Sequence, residues 1–98
     1  MTTQKIIEAC AQAWGVKPAD VMGRCRKEKM AEPRHYARWL MYHRCLMTTM
    51  EIADEWGCTH PTVLNSINRV WEWSSSGHYE QRRKSEIADA ILKGGENE

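Results

Sequence analysis

Residues 49–68, with the sequence TMEIADEWGCTHPTVLNSIN, constrain the fold more than any other part of this chain. Ile52 and Trp56 are four residues apart, which places them on one face of a helix, and Ala53 is small enough to let a second helix cross closely. Gly57 can end the first helix because glycine takes a left-handed backbone without a steric penalty. The pattern favours a helix-turn-helix, and the alternative is an ordinary pair of packed core helices.

The second helix of this motif is predicted to follow Thr59, whose hydroxyl can cap it, while Cys58 can point inward from the turn. Val63 is the position at which the helix returns to the core. Its remaining face is polar or small and is left toward solvent or a ligand: Thr59, His60, Pro61, Thr62, Asn65 and Asn68. In DNA-binding proteins with a helix-turn-helix, this face lies in the major groove.

Helical signals also precede the motif. A first helix is predicted from about Thr3 to Trp14, with Thr2 or Thr3 as its cap and Gly15 at its end, and Pro18 starts one or two further turns. A long helix from about Ala31 to Cys45 is predicted to present Arg34 and Arg38 together on its surface.

The motif itself is predicted to open with a capping box formed by Thr48 and Glu51, and its second helix to run to about Trp73. An amphipathic helix from about Tyr79 to Lys93 follows, and residues 94–98 are expected to be a disordered tail. The chain is therefore predicted to be all-α, a single compact domain over residues 1–93 with about five or six helices.

Charge is distributed unevenly, although the formal net charge is only +1. Residues 24–44 contain seven basic and two acidic residues, whereas residues 45–73 sum to −3. A basic block beside a helix-turn-helix can contact the phosphates that flank the groove. A charge run alone favours a solvated helix face, and its position next to the motif favours a role in binding.

Several classes of function are not expected. The four cysteines form no CxxC pair, and Cys58 with His60 lacks a second ligand pair, so no disulfide, metal or cofactor is expected. The histidines have no serine or cysteine partner at an interpretable spacing, and no GxxxxGKS or GxxxxGKT loop occurs, which argues against an enzyme or an ATPase. No apolar run is long enough for a membrane span, so a cytoplasmic location is expected.

Four stretches resemble the C-terminal DNA-binding domain of the bacterial replication initiator DnaA in their order and spacing. They are IIEACAQAWGVKPADVMGRCRK, AEPRHYARWL, EIADEWG and CTHPTVLNSINRV, and the resemblance runs from about Ile6 to Lys93. The most specific part is the HxTVL pattern, here His60, Thr62, Val63 and Leu64. The resemblance implies a monomeric, Trp-repressor-like helical module that binds double-stranded DNA, here as a free-standing domain.

The resemblance also implies roles for individual residues. Arg26, with Arg24 beside it, matches the loop arginine that enters the minor groove, while His60 and Thr62 match recognition-helix positions. Arg34 and His35 match a segment near the phosphates. The complete set of candidate DNA-binding residues is Arg24, Arg26, Lys27, Arg34, His35, Thr48, Thr49, Thr59, His60, Pro61, Thr62 and Asn65.

Departures from the family pattern predict altered binding. GCTH stands where the family commonly has GGRDH, with Cys58 replacing an arginine and Thr59 an aspartate, so base preference should change at that step. Glu32 and Tyr42 stand where the family usually has basic residues, which predicts a lower phosphate affinity.

The expected role is control of replication initiation or transcription, with replication proteins as further candidate partners and a phage or mobile element as a candidate origin. The alternative is a protein–protein interaction module, or an initiator antagonist that retains the fold without binding the DnaA box. Four large apolar residues would supply its adhesive surface, unless they pack in the core: Met47, Met50, Trp71 and Trp73.

Overall fold

The computed structural model describes residues 2–23, 28–75 and 77–96. Within these ranges the chain forms six α-helices and one short 3₁₀ turn, with no strand. The elements are α1 (Thr3–Trp14), α2 (Pro18–Met22), the 3₁₀ turn (Glu28–Met30), α3 (Ala31–His43), α4 (Thr49–Trp56), α5 (His60–Glu72) and α6 (Tyr79–Glu96). The prediction of an all-α domain with a helix-turn-helix is confirmed.

Short-range signals set the ends of the first helices. The Thr2 hydroxyl accepts a hydrogen bond from the backbone N–H of Lys5 at 3.2 Å and so caps α1. Gly15 ends α1 with φ at 68°, and its N–H bonds back to the last turn. Pro18 lies in the first turn of α2, where its missing N–H costs no hydrogen bond.

Two predicted helix ends were wrong. α3 ends at His43 rather than Cys45, because the N–H groups of Arg44 and Cys45 both turn back to the carbonyl of Leu40, and Leu46 then takes a positive φ of 55°. α6 continues through Gly94 to Glu96, beyond the predicted end at Lys93, since glycine lowers helix propensity without forbidding the helix. Residues 97–98 lie outside the described part of the chain.

The core is centred on α1, which packs against both α3 and α6. Ile6, Leu40, Met41, Ile52 and Val63 are fully or almost fully buried in it. Each such aliphatic side chain contributes about 1.5–3 kcal/mol through removal of its apolar surface from water. Because α4 and α5 supply the last two of these residues, the helix-turn-helix is packed onto the rest of the domain along one side.

Polar side chains join the helices around this core. The Glu32 carboxylate accepts hydrogen bonds from Trp14 Nε1 at 3.0 Å and Gln81 Nε2 at 3.1 Å, which ties α3 to α1 and α6. The Tyr36 hydroxyl donates to Asp89 at 2.7 Å, and burial together with this bond raises the pKa of Tyr36. Glu32 therefore has a structural role, because it joins three helices.

Candidate nucleic-acid interface

The first helix of the motif, α4, begins with the predicted capping box. The Thr48 hydroxyl accepts from the Glu51 N–H at 3.1 Å, and the Glu51 carboxylate accepts from the Thr48 N–H at 2.9 Å. These bonds lower the pKa of Glu51. The hydroxyl and the backbone N–H of Thr48 are thus both used to hold the start of α4, and α4 then ends at Gly57, which has φ at 62°.

The predicted hydroxyl cap of α5 was wrong. Thr59 occupies the N-cap position, but its side chain makes no capping bond and instead pairs with the Thr62 hydroxyl at 2.9 Å. The cause lies in the donors that a cap needs. Pro61 has no N–H, and the N–H of Thr62 bonds to the Thr59 carbonyl at 3.1 Å, so the hydroxyl of Thr59 is left to the hydroxyl of Thr62.

The first turn of α5 is held against α4 by one further polar contact. His60 Nδ1 lies 3.0 Å from the Thr49 hydroxyl, which belongs to the first turn of α4. Thr49 is half-buried, while the His60 side chain is exposed. Two of the predicted DNA-binding residues are therefore hydrogen-bonded to each other across the turn.

The exposed face of α5 agrees with the predicted one. His60, Pro61, Asn65 and Asn68 are exposed and Thr62 is half-buried, whereas the opposite face is buried through Val63, Ser66, Ile67 and Val70. Asn65 also borders a cleft of about 350 Å³ between α3, α5 and the start of α6. The polar face of α5 is free to meet a ligand.

Arg34 faces the backbone of α2. Its Nε donates to the Val21 carbonyl at 2.7 Å, and its Nη2 donates to the carbonyls of Asp20 and Gly23 at 2.8 and 2.9 Å. These carbonyls lie at the C-terminal end of a helix, where intrahelical partners are missing. Arg34 thus fixes the backbone immediately before residues 24–27.

Arg38 is buried, which corrects the prediction that α3 presents it on the surface beside Arg34. Its Nη1 donates to Ser66 Oγ at 2.9 Å, and its guanidinium lies over the Trp56 ring, 4.6 Å from the centroid. Its Nε is buried without a hydrogen-bond partner among the described residues. Burial lowers the pKa of Arg38.

His35 completes this network. Its Nδ1 lies 2.8 Å from Ser66 Oγ, so the Ser66 hydroxyl can accept from Arg38 and donate to an unprotonated His35 nitrogen. Burial, followed by the charges of Arg38 and Arg69, lowers the pKa of His35 from 6.5 to about 4. His35 is consequently neutral at pH 7 and joins α3 to α5.

Ser66 is the site residue that the sequence prediction missed. It is fully buried on the apolar side of α5, which Val63, Ile67 and Val70 also form. A serine at such a position must find a hydrogen-bond partner, and that requirement was the available signal. The loop residues Arg24, Arg26 and Lys27 lie outside the described residues.

Of the four apolar residues proposed as an adhesive surface, two are buried or half-buried and two are exposed. Trp73 is buried and stacks with Tyr36 at 6.2 Å, and Met47 is half-buried against the core. Met50 and Trp71 are 66% and 58% exposed. Over the described ranges, no three His, Cys, Asp or Glu side chains are grouped so that they could hold a metal ion, and no helix is both long and apolar enough to cross a membrane.

A first helix that begins with a capping box, a glycine turn and a second helix with an exposed polar face define a helix-turn-helix domain of the DNA-binding class. The family model for the bacterial DnaA protein helix-turn-helix matches residues 3–70. The chain belongs to this family.

Three relatives illustrate how much of a DnaA protein the chain represents. It is 32% identical over 93 residues to the chromosomal replication initiator protein DnaA 2 of Protochlamydia amoebophila, covering 95% of this chain and 20% of the relative. It is 29% identical over 91 residues to DnaA 1 of Chlamydia trachomatis, covering 93% and 19%. It is 31% identical over 71 residues to DnaA of Caulobacter vibrioides, covering 71% and 14%. The chain thus spans at most about a fifth of these curated relatives.

Proposed function

We propose that this protein binds double-stranded DNA sequence-specifically, with α5 in the major groove and the basic segment 24–29 in the adjacent minor groove. The observation that carries the proposal is the exposed polar first half of α5 on a helix-turn-helix whose other side is packed into the core. Family membership supports it. His60, Thr62 and Asn65 are the base-reading candidates on this face.

Not every cation of the basic block is available to phosphates. Arg34 and Arg38 are engaged inside the protein, which leaves five of the seven basic residues of 24–44. Each phosphate contact contributes about −0.9 to the slope of log K against log salt concentration, so this block accounts for a slope no steeper than about −4.5. Binding should therefore be salt-dependent, but less so than for a fully exposed block.

The biological role that we infer is control of replication initiation or of transcription, acting as a monomer in the cytoplasm. Its support is the similarity to the two chlamydial DnaA proteins, which are chromosomal replication initiator proteins. The turn sequence GCTH, in which Thr59 replaces the aspartate common in the family, predicts a DNA site that differs from the standard DnaA box.

The test is selection of binding sites from a random duplex library, followed by affinity measurements between 50 and 200 mM salt, the range over which phosphate contacts change affinity most visibly. We expect one enriched motif, and we expect Arg26→Ala and His60→Ala to weaken binding to it by about fivefold or more, as for loss of 1–3 kcal/mol. Arg82→Ala is the matched control, because Arg82 is an exposed arginine on α6. Absence of an enriched motif, or unchanged binding in the first two variants, would refute the proposed interface.

An exposed group of aromatic rings favours a second candidate function, a protein-interaction module. Trp71 meets Trp39 edge to face at 5.2 Å, and His43 lies 3.8 Å from Trp39 and 5.1 Å from Tyr42, measured between ring centroids. Aromatic side chains of this kind are enriched at interaction hot spots. Undetectable DNA binding at low salt, together with a co-purifying partner lost in Trp71→Ala, would favour this candidate over the first.

A further inference from the structure

The hydrogen bond between the first turns of α4 and α5 bears on how the recognition helix reads a base. Thr49 Oγ1 and His60 Nδ1 are 3.0 Å apart although the residues are eleven positions apart in sequence. The other ring nitrogen, Nε2, has no hydrogen bond to any of the described residues, and the His60 side chain is exposed. Since the two ring nitrogens diverge, holding Nδ1 against α4 leaves Nε2 free to point away from it.

We propose that Thr49 is a positioning residue that holds the His60 imidazole so that Nε2–H donates to a purine N7 in the major groove. This inference rests on the proposed function and deepens it. The threonine hydroxyl can donate to Nδ1 of a neutral ring, which leaves the proton on Nε2. In the other neutral tautomer Nδ1–H would donate to the threonine oxygen and Nε2 would be an acceptor. The proposal therefore assigns the tautomer in which Nε2 carries the proton and the outward nitrogen is a donor.

The chemistry of the groove selects the acceptor. The major groove offers purine N7, guanine O6 and thymine O4 to a donor. O6 and O4 each use one of their two lone pairs in pairing with the opposite base, whereas the lone pair of N7 takes no part in Watson–Crick pairing and faces the groove. A single outward N–H is therefore matched to N7, and both adenine and guanine present it.

The hydroxyls of Thr59 and Thr62 are close to His60 in sequence but are not hydrogen-bond partners of its imidazole ring. Their oxygens lie 2.9 Å apart and satisfy each other at the start of α5. These two hydroxyls bond to each other and not to His60, so among the described residues Thr49 supplies the hydrogen bond that orients the His60 side chain. Removing the Thr49 hydroxyl should free the ring while leaving the imidazole present.

The experiment compares Thr49→Val, which keeps the shape and loses the hydroxyl, with Thr49→Ser, which keeps the hydroxyl. His60→Ala is the reference for a missing ring. The probes are duplexes carrying the motif selected by the wild-type protein, with 7-deazaguanine or 7-deazaadenine replacing one purine at a time. This replacement removes only the N7 acceptor. Thermal unfolding by circular dichroism checks that each variant is folded.

We expect the wild-type protein to lose about fivefold in affinity at one 7-deazapurine position, as for loss of one hydrogen bond of about 1 kcal/mol. Thr49→Ser should keep this discrimination, and Thr49→Val should reduce it to less than about twofold, as His60→Ala does. Full discrimination in folded Thr49→Val would overturn the inference, as would a wild-type protein that ignores every 7-deazapurine while needing His60. Failure of the proposed function is a separate result, because the wild-type protein would then select no motif at all.

Discussion

Replacing Ser66 with alanine is expected to destabilise the domain by about 2–3 kcal/mol, although it removes a single oxygen atom. The Ser66 side chain is completely buried, and its oxygen lies 2.9 Å from Arg38 Nη1 and 2.8 Å from His35 Nδ1. Without it, Nη1 of Arg38 loses a partner in addition to Nε, which already has none among the described residues. An uncompensated charged donor places the cost in the upper part of the range for unsatisfied groups.

A double-mutant cycle with Arg38→Met tests whether the cost of Ser66→Ala comes from the unpaired Arg38 donor. Methionine fills a similar space without a charge, and replacing a buried ion with an apolar residue is often neutral or stabilising by about 1–4 kcal/mol. Loss of the contact with Trp56 offsets part of that gain, about 0.5–2 kcal/mol. In the Arg38→Met background, Ser66→Ala should cost less than about 1 kcal/mol, which gives a coupling energy of about 1–2 kcal/mol.

Urea unfolding, followed by tryptophan fluorescence and circular dichroism, measures the four free energies of the cycle. In a domain of this size, the single Ser66→Ala substitution should also lower Tm by roughly 10–20 °C. A loss below about 0.5 kcal/mol, which is typical of surface substitutions, would contradict the argument. Equal losses in both backgrounds would show that the energy does not come from the arginine.

Three further predictions concern His35, the turn glycine and Arg34. The pKa of His35 is about 4 when folded and 6.5 when unfolded, so the unfolded chain binds the proton more readily, and stability, full above pH 6.5, falls as the pH drops toward 4. Urea titrations at both ends of this window should show a weaker pH dependence in His35→Gln, and an unchanged dependence would exclude His35 as the cause. Gly57→Ala should cost about 1–2 kcal/mol through backbone strain alone, because φ is 62° and no atom lies within 4 Å of the added Cβ. Gly94→Ala, equally open but helical, should be neutral or stabilise by up to about 1 kcal/mol, and similar Tm shifts in the two variants would refute the strain argument. Arg34→Ala should weaken DNA binding with little change in the salt slope, because the Arg34 guanidinium donates its hydrogen bonds to backbone carbonyls of the protein. A salt slope reduced by about 0.9 would instead reveal that Arg34 contacts a phosphate.

Features set by neighbouring residues could be predicted from the sequence. The cap at Thr2, the glycine end of α1 and the capping box at Thr48 each depend on groups within four positions, and all three were predicted. The buried and exposed faces of α5 follow from helical periodicity in the same way. The helix-turn-helix was accessible to sequence reasoning because its signals are local.

The roles of the arginines of α3 could not be predicted from the sequence, because their partners are distant along the chain. Arg38 finds its partner 28 positions away in Ser66, and Arg34 finds its partners 11 to 14 positions away in backbone carbonyls that carry no sequence signature. The error at Thr59 is different, because Pro61 is visible in the sequence and removes one of the two N–H groups to which the cap side chain could bond.

The two arginines of α3 act on the two elements that the proposed function brings to DNA. Arg34 holds the last residues of α2, and therefore the point from which the basic segment departs, while Arg38 braces α5 through Ser66. A cation that serves as a phosphate contact contributes the same energy to every sequence. A cation that fixes the relative position of two reading elements contributes only where both elements fit their grooves at once. Under the proposed function, these internal contacts therefore exchange nonspecific affinity for specificity, which would let a chain with a net charge of +1 bind DNA selectively.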